Sequence, residues 1–170
     1  MKSYVELVNF AAPGGRCDIT PVFASARGFQ LLISDLLAPF EDSSIQIVAG
    51  IDALCFILGT AAALQLGAGF VPVRKAGKIP DRSDSRQFVD YTGKEKGLEL
   101  GRGAVAPGSR VLIVDDWIET GVQMRAAIEL VEGQGGVVIG VCAFNIDDNE
   151  RTRGLLKSYS CHSILRDCVA

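Results

Sequence analysis

The sequence contains few of the residues from which metal sites, disulfide frameworks and histidine-based catalytic sites are built. It has one histidine and one tryptophan in 170 residues, and its five cysteines are irregularly spaced, with no Cys-x-x-Cys pair. An odd number of cysteines in this arrangement favours reduced thiols in a cytoplasmic protein over disulfides or a zinc site. His162 has no evident partner in the sequence, so we assign it no role.

An excess of positive charge is also absent. Lysine and arginine total 17 against 20 aspartates and glutamates, which gives a net charge of −3. Such a chain lacks the basic footprint of a protein that binds nucleic acid or an anionic membrane. No apolar run reaches the ~18 residues of a membrane-spanning helix, and no basic segment precedes an apolar one at the N-terminus. We therefore expect neither nucleic acid nor membrane among its partners.

The residues that are abundant point to one α/β domain. Hydrophobic residues make up 48% of the chain and glycine occurs 19 times, which suits a fold with many tight turns. A chain of this length buries roughly 70% of its unfolded surface, so we expect a single domain over residues 1–170. Strand and helix patterns alternate along it, which favours a mostly parallel twisted sheet flanked by helices.

Local patterns predict the individual elements. Thr20 and Pro21 are typical of an N-cap and first helical position, so a helix is expected from there to about residue 39. Strands are expected at 45–49, 70–73, 111–114 and 137–144, and helices at 55–66, 122–133 and 150–158. Two further short strands, 87–91 and 97–100, are expected to form a long hairpin.

The most informative stretch runs from Val111 to Gln123. A buried apolar run is followed by Asp115 and Asp116, then by a turn containing Thr-Gly and the start of an amphipathic helix. This order suits a phosphorylated sugar, with carboxylates for the hydroxyls and helix N–H groups for the phosphate. An ordinary strand-to-helix turn with exposed aspartates remains an alternative. A response-regulator receiver is excluded, because only 54 residues follow Asp116.

Three segments in this order resemble the type I phosphoribosyltransferases, and the adenine phosphoribosyltransferases among them. Residues 113–121 read Ile-Val-Asp-Asp-x-x-x-Thr-Gly and are similar to the signature for phosphoribosyl pyrophosphate (PRPP). Residues 48–59 resemble the pyrophosphate loop and the helix after it, and residues 70–80 resemble the basic strand end of the adenine enzymes. The resemblance covers about residues 10–145.

The resemblance implies a role for each candidate residue. A hood over residues 1–20 and a flexible lid over 81–100 are expected around the site. Magnesium is expected to bind mainly through PRPP, with no protein residue assigned as its ligand. The implied roles are ribose hydroxyl binding by Asp115 and Asp116; 5′-phosphate binding by Glu119, Thr120, Gly121, Val122 and Gln123; pyrophosphate binding by Asp52, Ala53, Leu54, Arg74, Lys75 and Lys78; base binding by Arg16 and Cys17; and catalysis by Asp90 and Tyr91.

The activity implied by the resemblance is purine salvage by an adenine-like phosphoribosyltransferase. Such an enzyme moves ribose 5-phosphate from PRPP to a nucleobase, forms a nucleotide and releases pyrophosphate. The resemblance also implies a cytoplasmic homodimer. Cations at the leaving group and a carboxylate-lined sugar site suit this reaction, because positive charge develops on the ring and negative charge on pyrophosphate. A closed lid would exclude water, which otherwise hydrolyses the activated sugar.

The sequence departs from the adenine enzymes in its ligand loops. Leu54 and Cys55 stand where those enzymes have arginine and glycine, so a guanidinium for the leaving group is missing. Val122 replaces a glycine, which predicts a costly backbone conformation for a β-branched residue. Gln123 replaces a hydroxyl, and Glu119 adds a negative charge beside the expected phosphate. These changes leave two alternatives open: a weak or inactive regulatory paralogue that binds PRPP or a nucleotide, and a structural paralogue without a ligand.

Overall fold

The chain folds around one seven-stranded sheet. A computed structural model describes residues 3–12, 16–90 and 92–165. The strands are β1 (Ile47–Ile51), β2 (Gly69–Lys75), β3 (Ser83–Val89), β4 (Glu95–Gly101), β5 (Arg110–Ile118), β6 (Val137–Ile146) and β7 (Cys161–Ser163). The helices are α1 (Thr20–Ala24), α2 (Ala26–Leu37), α3 (Cys55–Leu66), α4 (Val122–Gly133) and α5 (Glu150–Ser158), with short 3-10 helices at Ser3–Leu7 and Ala38–Phe40.

The sheet is parallel except at one edge. Its strand order is β3-β4-β2-β1-β5-β6-β7, and among these strands β4 runs against the others, antiparallel to both β2 and β3. Strand β5 is an inner strand, paired in parallel with β1 on one side and β6 on the other. The expected fold class, a mostly parallel twisted sheet flanked by helices, is confirmed.

Helices cover both faces of the sheet because the central strands are apolar on both sides. Along β5, Leu112 and Val114 join the hydrophobic cluster packed under α2 and α3, whereas Val111 and Ile113 join the cluster packed under α4. Successive side chains of a strand point to opposite faces, so one apolar run supplies both clusters. All four side chains are completely buried.

The expected helix from Thr20 to about residue 39 is wrong in two respects. Ile19, rather than Thr20, occupies the N-cap position of α1. The helix also breaks at Ser25, whose backbone is extended and whose hydroxyl accepts a hydrogen bond from the Gly28 N–H at 3.1 Å. Ser25 therefore caps a second helix, because a serine side chain competes with the backbone for hydrogen bonds. The expected helices 55–66, 122–133 and 150–158 have the bounds observed for α3, α4 and α5.

Strand β5 is longer than expected. Its pairing with β6 continues through Asp115 and Trp117 to Ile118. The acidic pair thus lies inside the strand, not after it, because pairing with a buried neighbour outweighs the low strand propensity of aspartate. Strand β1 lies two residues later than expected, and the short parallel strand β7 was not predicted.

The expected hairpin is present as β3 and β4, but its first strand begins four residues before the expected 87–91 and its second begins two residues before the expected 97–100. The hairpin extends the sheet through the pairing of Arg74 on β2 with Glu99 on β4. Arg86 Nε on β3 lies 3.4 Å from Glu129 Oε2 on α4. The flexibility of the hairpin stays a prediction. The expected hood contains the first 3-10 helix and an isolated bridge between Asn9 and Asp18. Within the described residues, each helix is too short or too polar to cross a bilayer.

Candidate active site

One cavity, of about 340 Å³, lies where β1, β2 and β5 end. In a parallel sheet, ligands bind in the crevice outside the carboxyl ends of the strands. Thirteen of the predicted site residues line this cavity: Arg16, Asp52, Ala53, Leu54, Lys75, Asp90, Asp115, Asp116, Glu119, Thr120, Gly121, Val122 and Gln123. Residues about 100 positions apart in the sequence therefore meet in one place.

Three predicted residues are not among the described residues that line the cavity. Arg74 and Lys78 lie beside it, and Cys17 packs against the apolar cluster under α2 and α3. Tyr91 lies outside the described residues, so its expected role stays a prediction. Seven further residues line the cavity and were not predicted as site residues: Phe88, Lys96, Gly97, Leu98, Trp117, Ile118 and Met124. Lys96 and Phe88 lie opposite each other in the hairpin.

Asp115 is a buried carboxyl at the floor of the cavity. Its side chain is 3% exposed, and Oδ1 accepts hydrogen bonds from Cys55 Sγ at 3.0 Å and from the Asp116 N–H at 2.9 Å. Burial, and then the neighbouring charge of Asp116, raises the pKa of Asp115 to about 8. The protonated form of this carboxyl is therefore favoured up to near-neutral pH, since both effects penalise its anion.

Cys55, the first residue of α3, is an unexpected member of the site. Its Sγ lies 3.0 Å from Asp115 Oδ1 and 3.7 Å from Asp116 Oδ1. Burial, and then the charge of Asp115, raises the pKa of this thiol well above its usual value. The thiol therefore remains protonated and acts as a donor to Asp115. The sequence signalled this position only as a departure from glycine; the contact arises from the approach of α3 to β5.

The acidic pair also offers oxygen ligands. Among the described residues, ligand atoms of Cys55, Asp115 and Asp116 lie within 4.8 Å of one another. Carboxylate oxygens suit a hard divalent cation, whereas a protonated thiol does not. The donor set is thus compatible with magnesium that arrives on a phosphorylated substrate and contacts one or two carboxylates.

Residues 119–123, which we call the phosphate turn, connect β5 to α4. Gly121 is the N-cap of α4 and has a φ of 72°, a left-handed conformation that favours glycine. Within the described residues, no side chain caps the first turn of α4, so its N–H groups are available to an anion. The expected backbone strain at Val122 is wrong, because Val122 is the first residue of α4 and does not have a positive φ. Among the described non-glycine residues, a positive φ occurs at Ser44.

Glu119 forms an ion pair across the cavity. Its Oε1 lies 2.8 Å from Arg16 Nη2 and accepts a hydrogen bond from Arg16 Nε at 3.0 Å. Arg16 belongs to the expected hood, so this contact joins the hood to the phosphate turn. The ion pair also places a cation beside the Glu119 carboxylate, whose negative charge is expected to be unfavourable near a phosphate.

The β1 and β2 ends form the other side of the cavity. Asp52 Oδ2 accepts a weak hydrogen bond from the Lys75 N–H at 3.4 Å and lies 4.0 Å from Arg74 Nε. Arg74 is not among the residues that line the cavity, and its Nη1 donates to the Lys78 carbonyl at 2.9 Å. Leu54 lines the cavity and also packs against apolar residues. Lys75 is therefore the cation that this side presents directly.

Asp90 forms the tip of the β3–β4 hairpin. Its Oδ1 accepts hydrogen bonds from the N–H groups of Thr92 and Lys94 at 2.8 and 3.1 Å, and Lys96 Nζ lies 2.6 Å from Oδ2. Lys96, and then Thr92, holds the pKa of Asp90 well below its usual value. The carboxylate is therefore ionised at neutral pH, so it can accept a hydrogen bond from a ligand N–H but is a weak base.

Comparison with known proteins agrees with this geometry. A family model described as the phosphoribosyl transferase domain matches residues 25–167. A curated relative from Dinoroseobacter shibae, named adenine phosphoribosyltransferase, is 48% identical over 130 residues, which are 76% of this chain and 72% of the relative.

Solved structures show the same similarity over nearly the whole fold. The adenine phosphoribosyltransferase of Rhodothermus marinus superimposes with a TM-score of 0.86 at 36% identity, covering 96% of both chains. The enzyme of Saccharomyces cerevisiae, solved with an imino-altritol bisphosphate and adenine, gives a TM-score of 0.83 at 30% identity, covering 96% of this chain and 99% of that one. The chain therefore belongs to the phosphoribosyltransferase family and resembles the adenine phosphoribosyltransferases within it.

Proposed function

We propose that this protein is a purine phosphoribosyltransferase that transfers ribose 5-phosphate from PRPP to adenine and releases pyrophosphate. The observation that carries the proposal is the single cavity in which the acidic pair, the phosphate turn and the Asp52–Leu54 turn meet. The names of its relatives support adenine as the base. The product is a nucleotide, so the proposed role is purine salvage.

The sugar phosphate is assigned to the β5–α4 side of the cavity. Asp115 and Asp116 would accept hydrogen bonds from the ribose 2′- and 3′-hydroxyls, because paired carboxyl oxygens match a vicinal diol. The 5′-phosphate would bind at the phosphate turn, where the uncapped N–H groups of α4 converge. These contacts would orient the sugar within the cavity.

Pyrophosphate is assigned to the β1–β2 side. Lys75 would offset negative charge that grows on pyrophosphate as its bond to the anomeric carbon breaks. Arg74 and Lys78 would add to this field from beside the cavity. Glu99 fixes their turn, since its carboxylate accepts hydrogen bonds from the Gly77 and Ile79 N–H groups at 2.6 and 3.3 Å.

Magnesium is proposed as a cofactor carried mainly by PRPP. The oxygen atoms of Asp115 and Asp116 would face it, consistent with the donor set of the sugar subsite. When bound, it would supply positive charge to the phosphate oxygens. The protein's own part is to hold the carboxyl oxygens in place, which β5 achieves by burying Asp115.

The base is assigned to the space between the hood and the hairpin. Arg16 lines it from the hood, with Cys17 proposed behind, and Asp90 with Tyr91 would lie on the lid. Asp90, held ionised by Lys96, would accept a hydrogen bond from a base N–H group. Movement of the hairpin would exclude water during transfer.

A homodimer is proposed from the outer face of α3. Leu64 is 79% exposed and Ile57 is 44% exposed, and they lie two turns apart on the same face of this apolar helix. Exposed apolar side chains on one helix face suit contact with a second copy. A cytoplasmic location is also proposed, because the four described cysteines are free thiols, and cell fractionation would check it.

The reaction itself is the first test. With magnesium–PRPP, adenine should release pyrophosphate and form AMP, whereas hypoxanthine, guanine, xanthine and uracil should react much more slowly. Pyrophosphate release and nucleotide formation are measured for each base in turn. Equal inactivity with all five bases would reject the proposed function.

Leu54→Arg should raise turnover, because it restores a cation beside the leaving group. The gain in kcat should approach about 10²-fold, the usual effect of one such transition-state contact. Leu54→Met is the matched control, since it keeps an apolar side chain of similar size. An arginine variant no faster than the methionine variant would show that this position does not limit the reaction.

In the absence of ligand, Asp115→Asn should increase the free energy of unfolding relative to the parent, and this increase should grow as pH rises from about 4 to about 8. Folded Asp115 retains a proton that the unfolded chain has released over this range, since its pKa is raised from 3.8 to about 8. The parent's unfolding free energy therefore falls with pH relative to the variant, by at most about 1.4 kcal/mol per pH unit. Denaturant unfolding at several pH values measures the difference, with the exposed Asp42→Asn as control. A difference independent of pH would contradict the raised pKa.

Leu64→Glu should convert a dimer to a monomer, because it places a charge in the proposed apolar contact. Sedimentation velocity measures the mass of the parent, of this variant and of the neighbouring control Gln65→Glu. The parent and the control should sediment as dimers. A parent that remains monomeric at high concentration, or a Leu64→Glu variant that remains dimeric, would reject this interface.

A further inference from the structure

The phosphate turn rests on a segment that lies outside the cavity. This segment, residues 147–152, comprises the connection from β6 to α5 and the first residues of α5. It lies behind the phosphate turn. Asp147 donates its N–H to the Ile118 carbonyl at 2.9 Å, and its Oδ1 accepts from Trp117 Nε1 at 3.0 Å. A Cβ placed on Gly121 would lie 3.8 Å from Leu155 and 3.9 Å from Thr152. The turn thus packs directly on the beginning of α5.

Among the described residues of this segment, Asn149 alone forms a hydrogen bond from its side chain to the backbone of the phosphate turn. Its Nδ2 donates to the Glu119 carbonyl at 2.6 Å. Its Oδ1 accepts from the N–H groups of Arg151 and Thr152, both at 3.1 Å. Because the amide gives its N–H to a carbonyl and its oxygen to two N–H groups, the reversed orientation would lose all three bonds.

The position of Asn149 is itself fixed. It is the N-cap of α5, and its own N–H donates to Thr152 Oγ1 at 3.1 Å in a capping box. Thr152 is completely buried, and its hydroxyl donates to the Asp147 carbonyl at 2.6 Å. The side chain therefore reaches the turn from a rigid helix end.

The hydrogen bond to Glu119 determines where the next N–H points. In a planar trans peptide the carbonyl and the following N–H point in opposite directions. The Glu119 carbonyl faces Asn149, so the Thr120 N–H faces away from α5. Thr120 lines the cavity, whereas Asn149 is outside it.

We propose that Asn149 is a positioning residue, which holds the Glu119 carbonyl and so directs the Thr120 N–H toward the 5′-phosphate of the substrate. The inference rests on the proposed function, because it assigns a phosphate to this turn. Asn149 touches no substrate atom itself. Its loss should weaken binding of the phosphate in the ground state and the transition state alike, which raises KM for PRPP more than it lowers kcat.

Two substitutions isolate this bond. Aspartate, asparagine and serine cap helices about equally well, so Asn149→Asp and Asn149→Ser retain the cap of α5. Aspartate has no donor for the Glu119 carbonyl and adds a charge, whereas serine is neutral and too short to reach that carbonyl. Both variants should raise KM for PRPP about tenfold or more, with KM for adenine unchanged and melting temperatures within a few degrees of the parent. Their dissociation constants for AMP, measured by calorimetry, should rise in parallel.

The outcomes separate this inference from the proposed reaction. A parent that binds AMP without forming it from PRPP would reject the reaction, and weaker AMP binding by both variants would still support the positioning role. An active parent whose two variants keep its KM for PRPP and its affinity for AMP would overturn the inference. A rise in KM for Asn149→Asp alone would also overturn it, because the effect would then come from the added charge. A parent that neither reacts nor binds AMP would reject both.

Discussion

The burial of Asp115 within the central strand is the constraint on which the rest of the site depends. Strand β5 keeps its pairing with β6 beyond the apolar run, and this carries an acidic residue to 3% exposure inside the sheet. A buried carboxyl needs donors, and Cys55 Sγ and the Asp116 N–H supply them. Satisfying Asp115 in this way draws the start of α3 against β5, which brings Leu54 and Asp52 to the same cavity as the phosphate turn. The proposed sugar, phosphate and pyrophosphate subsites are consequently parts of one packed arrangement.

Three of the departures from the adenine enzymes are accommodated by the residues around them. Cys55, in place of a glycine, is a donor to the buried carboxyl, and Glu119 is paired with Arg16 of the hood. Val122 lies in ordinary helical backbone, with the left-handed position taken by Gly121. Among the described residues, no contact of this kind compensates for Leu54 or Gln123, both of which line the cavity. The expected weakness of the site is thereby narrowed to the leaving-group side and to the last residue of the phosphate turn.

Helices α3, α4 and α5 follow from the sequence because they depend on local signals. The apolar segments that become α3 and α4 are bounded by glycine-containing turns, and the ordered motifs at 48–59 and 113–121 contain eight of the thirteen predicted residues that line the cavity. The rest depends on contacts between distant segments. The extension of β5 requires its partner β6, the orientation of Arg74 requires the turn held by Glu99, and Asn149 reaches Glu119 only because α5 packs behind the phosphate turn. No spacing in the sequence reports these contacts, since each joins residues at least 20 positions apart.

Above all, we propose that the end of β5 and the start of α4 recognise a ribose 5′-phosphate. The most direct measurement is thermal unfolding of the protein in AMP and, separately, in adenosine at equal concentrations. A ligand that binds the folded state raises the melting temperature according to its concentration relative to its dissociation constant. We expect a clear rise in melting temperature with AMP and little or none with adenosine, because only AMP carries the phosphate for the turn. Equal stabilisation by both compounds, or by neither, would contradict it.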